Sequence, residues 1–224
     1  MNSTYLKYSI ILGVLTAFGP ICTDFYLPAL PQITHDLHAS IPQSQLSLTA
    51  ALIGLGVGQL FFGPWSDRIG RKKPLMLSLG LFTLSSIACM FVQDMSQMII
   101  IRFVQGFSGA GGAVLARAIA SDRYSGKQLA QFFALIMAIN GIAPILAPVL
   151  GGIQLQFTQW QGLFASLSAL GVLIFLVCYF LIDESHDPKR VGQLQQSFKL
   201  ALENVLKDKT FIGLCLMQSM MMGG

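Results

Sequence analysis

The chain reads as an all-α integral membrane protein of six spanning helices, and three features predict this. Long runs free of Asp, Glu, Lys and Arg cover 8–23, 37–66, 74–93 and 128–182. Only 11% of residues are charged while 54% are hydrophobic, against about 25% charged in a soluble domain. The basic residues that remain fall almost entirely in alternate connections between the runs, as the positive-inside rule requires of a multi-span protein.

A span needs about 20 predominantly apolar residues, so the longest run, 128–182, holds two helices joined by a short hairpin. The expected spans lie near 6–28, 44–65, 75–93, 97–118, 128–152 and 162–182. Helix one carries Pro20, Asp24 and Pro28, and helix five carries Pro144 and Pro148, so both are expected to be kinked. Ala50, Gly54 and Gly58 recur every four residues along helix two, and Gly106, Ala110, Gly111 and Gly112 crowd helix four. Such small faces let helix backbones approach closely in a bilayer. Residues 1–183 form the bundle, 184–208 read as a polar cytoplasmic linker, and 209–224 begin a seventh helix.

Arg68, Arg71, Lys72 and Lys73 follow helix two, and Arg117, Arg123 and Lys127 surround the end of helix four. The loops near 29–43, 94–96 and 153–161 contain no Lys or Arg. The N-terminus and the basic connections are therefore expected in the cytoplasm. The net charge of +4 is this topology signal, with no basic stripe or aromatic platform for nucleic acid. The apolar start has span length and no small-residue cleavage site, which excludes a cleaved signal peptide. Cys22, Cys89, Cys178 and Cys215 are dispersed in apolar runs and read as small buried hydrophobes. His35 and His38 flank Asp36 in an outer loop, a solvated face rather than a metal site. No cofactor is expected, and no Ser/His/Asp set converges on one face as an enzyme would need.

Residues 63–75 read GPWSDRIGRKKPL. Gly63, Asp67, Arg68, Gly70, Arg71 and Lys72 fill every defined position of the pattern G-x-x-x-D-[RK]-x-G-[RK]-[RK]. The stretch resembles the signature loop of the major facilitator superfamily. Three more stretches sharpen the resemblance toward bacterial drug:proton antiporters, especially the bicyclomycin-resistance branch. Helix one ends D24-F-Y-L-P28-A-L-P31, and helix four contains R102-F-V-Q105-G106. Helix five ends N140-G-I-A-P144-I-L-A-P148-V-L-G151-G152, similar to the antiporter pattern G-x-x-x-G-P-x-x-G-G. There Pro148, Gly151 and Gly152 hold, while Ala143 and Ala147 stand where glycines belong.

The resemblance implies the N-terminal six-helix half of a twelve-helix transporter, built from two inverted three-helix repeats. It also implies the bacterial inner membrane, proton-driven export of small hydrophobic drugs, and dependence on a C-terminal half. A facilitator for a sugar or organic acid, and a fragment that does not transport alone, are the alternatives. Gly70 supplies the positive φ that the tight turn needs. The family implies that Arg71, a rigid fork suited to a carboxylate, meets an acid at the end of helix four, where Asp122 stands. That contact would form a cytoplasmic gate, with Asp67 an alternative partner.

Ionisable groups inside spans cost at least ~2.5–3.5 kcal/mol and are functional by default. Asp24 and Arg102 both fall in the outer third of their helices, by a rise of about 1.5 Å per residue. The economical expectation is that they pair; the other is that both snorkel to the headgroups. Asp24 is the only acid expected inside a span of this half, so proton coupling falls to it or to the missing half. Gln59, Gln105 and Asn140 are candidate cavity polar groups. Ten methionines and sixteen phenylalanines suit an adaptable apolar pocket and a lipid-facing surface.

Overall fold

The computed structural model describes residues 3–185 together with Gly213 and Met217. The contacts below lie within the unit Met1–His186. Except for residues 184 and 185, the expected linker falls outside the described residues, and so do Cys215 and all of the seventh helix but Gly213 and Met217.

Every regular element among the described residues is helical. The chain runs α1 (Ser3–Thr16), α2 (Phe18–Asp24), a 3-10 turn (Leu27–Ala29), α3 (Leu30–Asp36), α4 (Ile41–Ile69), α5 (Lys72–Cys89), α6 (Met95–Arg123), α7 (Gly126–Leu155) and α8 (Trp160–Leu181). By length and composition α4, α6, α7 and α8 can each cross a membrane, and the bent pair formed by helix one can be a fifth span. The 18 residues of α5 open on Lys72 and Lys73, which lowers its apolarity, but at 1.5 Å per residue they still reach roughly 27 Å.

Helix one is not the single span expected over 6–28. It is broken at Ala17 and continues in short pieces to Asp36. Pro20 has no N–H to give the carbonyl of Thr16, four residues back. The Thr16 hydroxyl turns back to Gly13 O at 2.7 Å, and Ala17 N reaches Val14 O at 3.1 Å, closing the first helix with a tighter turn. Pro28 and Pro31 each sit in the first turn of the piece that follows. Helix five behaves otherwise: α7 runs unbroken through Pro144 and Pro148.

α4, α6 and α7 are longer than their apolar cores. Ser40 and Gln43 form a reciprocal capping box that starts α4 at Ile41, and the Asp94 carboxylate caps α6 through Gln97 N at 2.9 Å. At its other end α6 extends to Arg123, which puts Asp122 in its last helical turn.

The pair α4 and α6 makes the most extensive interhelical contact. A Cβ on Gly54 would overlap the carbonyl of Phe103, and one on Gly106 would overlap the backbone of Ala51. The small face of α4 is therefore Ala51, Gly54 and Gly58, all buried, and Ala50 turns aside. A helix repeats every 3.6 residues, so a strict four-residue spacing drifts off the contact. On the other sides of α6 the core gathers Leu12, Leu15, Phe18, Phe82, Leu115 and Ile119. Phe18 meets Phe82 edge-on with ring centroids 4.8 Å apart.

Candidate functional site

Two clusters of charge sit at opposite ends of α6. At the signature-motif end, α4 stops at Gly70, whose φ of 97° is in the region that favours glycine. Its N–H closes on Ser66 O at 3.0 Å, and the next residue, Arg71, folds back into the bundle. The Arg71 fork donates from Nε to Asp122 Oδ2 at 2.8 Å and from Nη2 to Oδ1 at 3.5 Å. Its Nη1 donates to Ser66 Oγ at 2.7 Å and to Asp67 Oδ1.

Burial opposes the charge on Arg71, but the Asp122 and Asp67 carboxylates outweigh it and hold its pKa above the ordinary arginine value. The Arg71 side chain is 9% exposed, against 22% for Asp122 and 46% for Asp67. The contact with Asp122 is thus partly desolvated and stronger than an exposed pair, while that with Asp67 is discounted by solvent. Lys72 reaches Tyr179 O at 3.0 Å, and Arg68 is exposed. A Cβ added at Gly63 would lie 3.8 Å from Val114 of α6, an ordinary van der Waals distance.

The second cluster surrounds Arg102, which is fully buried. Its Nη1 donates to Cys22 O at 2.9 Å and Gln105 Oε1 at 2.6 Å. Gln105 in turn donates to Ser86 Oγ at 2.7 Å, tying α6 to α5. The guanidinium lies 4.3 Å from the ring centre of Tyr26 and 6.0 Å from that of Phe164. Tyr26 is held by a 2.6 Å hydrogen bond to Ser47 on α4.

Arg102 therefore neither pairs with Asp24 nor snorkels, and both expectations are corrected. Among the described residues no carboxylate lies within ion-pair distance of it. Asp24 is half-buried and accepts from Thr23 Oγ1 at 3.1 Å. The reason is helical phase. Cys22 and Tyr26 are four residues apart and share the face toward α6, while Asp24 lies midway between them, about 200° away from each.

Magnitudes explain how the cation persists without an acid. Two charge-assisted hydrogen bonds at about 1.5–3 kcal/mol each and a desolvated cation–π contact of ~2 kcal/mol together exceed the insertion cost of at least ~2.5–3.5 kcal/mol. Nε and Nη2 are buried and have no acceptor among the described residues.

The other expected polar groups do not join this cluster. Gln59 is exposed on α4, and Asn140 is half-buried on α7 with its Oδ1 unpartnered. In the helix-five motif, only Gly151 marks a close approach, where a Cβ would overlap the carbonyl of Phe25; around Gly152 there is open space. Pro144 is exposed and Pro148 half-buried. A pocket of about 380 Å³ opens between α2, α7 and α8, lined by Ile21, Phe25, Ala143, Ala147, Ser166 and Leu167 among others. The two alanines standing for glycines thus face an apolar pocket. Sequence reasoning did not single out Tyr26, Phe164 or Glu184. Tyr26 was detectable as a ring four residues from Cys22, but its meeting with Arg102 depends on helix packing.

The model of the Major Facilitator Superfamily matches residues 12–224. The chain belongs to this superfamily. It is 39% identical to an MFS-type transporter of Bacillus subtilis, YdgK, over 98% of this chain and 55% of the relative. It is 32% identical to a bicyclomycin resistance protein homolog of Haemophilus influenzae over 100% of this chain and 56% of that one. A multidrug resistance protein, MdtL, of Klebsiella pneumoniae is 34% identical over 76% of this chain and 44% of its own length. The chain spans about half the length of the curated relatives it matches. Among solved structures, a proton:xylose symporter superposes with a TM-score of 0.72 at 14% identity, covering 99% of this chain and 56% of that one. The human organic anion transporter MFSD10 gives 0.64 at 19%, covering 83% and 49%. These likenesses show the shared facilitator fold. The chain is a multi-pass membrane protein of the transporter type.

Proposed function

We propose that this chain is the N-terminal half of a secondary active transporter of the bacterial inner membrane. It exports small hydrophobic drugs in exchange for protons by alternating access, with its N-terminus in the cytoplasm and a C-terminal six-helix half completing the path. The observation that carries this reading is likeness above 30% identity to relatives named for bicyclomycin and multidrug resistance. The site chemistry supports it. Among the described residues Asp24 is the one acid within the broken first helix before its outer end at Asp36, half-buried where a carboxylate can gain and lose a proton. Arg102, steadied by Gln105, keeps two buried N–H groups without an acceptor, which a substrate oxygen would meet only once the bundle opens. Arg71, Asp67 and Asp122 act as the cytoplasmic gate, holding α4 to α6 in one state and parting in the other.

The test uses the chain joined to its second half in inverted membrane vesicles, following drug accumulation and proton release together. Asp24→Asn, whose amide cannot titrate, is expected to abolish proton-driven export while leaving membrane insertion intact. Undiminished export with undiminished proton release would remove Asp24 from coupling. Drug transport by the 224 residues alone would overturn the half-transporter reading.

A further inference from the structure

One carboxylate at the gate has no part in the gate contacts described so far. Glu184 follows α8 by three residues, yet its side chain reaches the turn between α4 and α5. Oε1 accepts from Arg71 N at 2.7 Å and Oε2 accepts from Lys72 N at 3.1 Å. These two N–H groups open α5, and no side chain at its N-cap position serves them. A carboxylate spanning both meets the positive end of the helix with two charge-assisted hydrogen bonds.

The same carboxylate occupies the space a Cβ on Gly70 would need. That Cβ would lie 2.6 Å from Oε2 and 2.9 Å from Cδ. Gly70 is therefore required twice, for its φ and for the closeness of Glu184. The neighbours of Glu184 are anchored as well. Arg123 donates to Asp183 O at 3.0 Å, Tyr8 donates to the Asp183 carboxylate at 3.4 Å, and Arg123 lies 4.4 Å over the Tyr8 ring. Ser185 Oγ reaches Asp122 at 3.5 Å. Residues 183–185 thus strap the end of α8 to α1, to the α4–α5 turn and to α6.

This bears on the gate because only Gly70 and Arg71 separate α4 from α5. The 2.8 Å bond from Arg71 to Asp122 holds only while the backbone at Arg71 stays in place. We propose that Glu184 is a positioning residue of the cytoplasmic gate, fixing the backbone of Arg71 and Lys72 so that the Arg71 fork meets Asp122. The inference rests on the gate reading of Arg71 and Asp122. It assigns the first residues after the sixth span a part in transport rather than in tethering alone.

The test compares Glu184→Ala, Glu184→Gln, Arg71→Ala and the Arg71/Glu184 double alanine variant in the chain joined to its second half. The readouts are drug export and the spin-label distance between cysteines replacing the exposed Lys73 and Ser121. Glu184→Ala is expected to lower export about tenfold, the worth of one charge-assisted hydrogen bond, and to broaden the distance distribution. Glu184→Gln keeps an acceptor oxygen and should recover part of both. In the Arg71→Ala background, Glu184→Ala should cost nothing more, because its effect runs through Arg71. Normal export and distances in Glu184→Ala, beside a defective Arg71→Ala, would overturn the positioning role and leave the gate standing. Losses that add in the double variant would also overturn it, by making Glu184 merely structural. If Arg71→Ala itself transports normally, the gate reading fails and the positioning role fails with it.

Discussion

Replacing Gly106 by alanine tests the packing on which both clusters depend. A methyl group there would overlap the carbonyl oxygen of Ala51 and come within 2.7 Å of its carbonyl carbon and 2.9 Å of its Cα. The obstacle is backbone, so no rotamer change can relieve it, and α4 and α6 must separate by roughly an ångström to restore van der Waals contact. Separation would also loosen the contacts of Gly54 and Gly58 on the same face. Overpacking of this kind costs about 1–3 kcal/mol, and the upper half of that range is expected here. Gly141→Ala is the control, since nothing lies within 4 Å of its added Cβ. It should be neutral, or stabilising by up to about 1 kcal/mol from helix propensity. The assay is denaturation of the purified chain in mild detergent, followed by tryptophan fluorescence. Stability of Gly106→Ala within about 0.5 kcal/mol of the parent would refute the close α4–α6 contact.

Two further outcomes are expected. Arg71→Asp and Asp122→Arg should each impair export, and the double reversal should recover part of it, with a coupling of about 1 kcal/mol. Rescue should be incomplete because Arg71 also donates to Ser66 and Asp67, and a coupling of zero would leave Asp67 as its working partner. Single cysteines replacing Lys73 and Phe157, in a chain freed of its native cysteines, should label from opposite sides of the membrane. The impermeant reagent should reach position 157 in intact cells and position 73 only in inverted vesicles; the reverse pattern would overturn the orientation.

The sequence by itself determined the class of the molecule, the positions of spans two to six and the side on which each connection is expected, though not the break in helix one. Those follow from transfer free energies that add along the chain, such as the apolar run 128–182 or the four basic residues at and after the end of α4. Turn chemistry was equally legible, since Gly70 is needed by the backbone where it stands. The contact of Arg71 with Asp122 was readable only through the family pattern, and the structure supplies its geometry. The placement of Arg102 was not legible. Depth along two helices gives Asp24 and Arg102 the same level, but the facing residues depend on rotation about each axis, and two residues turn a helix about 200°. The same phase error set Ala50 where Ala51 packs. Glu184 was hidden for another reason: its partners at Arg71 and Lys72 are backbone N–H groups, which every residue but proline carries and no sequence pattern marks. Rotation and long-range closure are settled by packing among helices distant in sequence, and only the tertiary structure decides them.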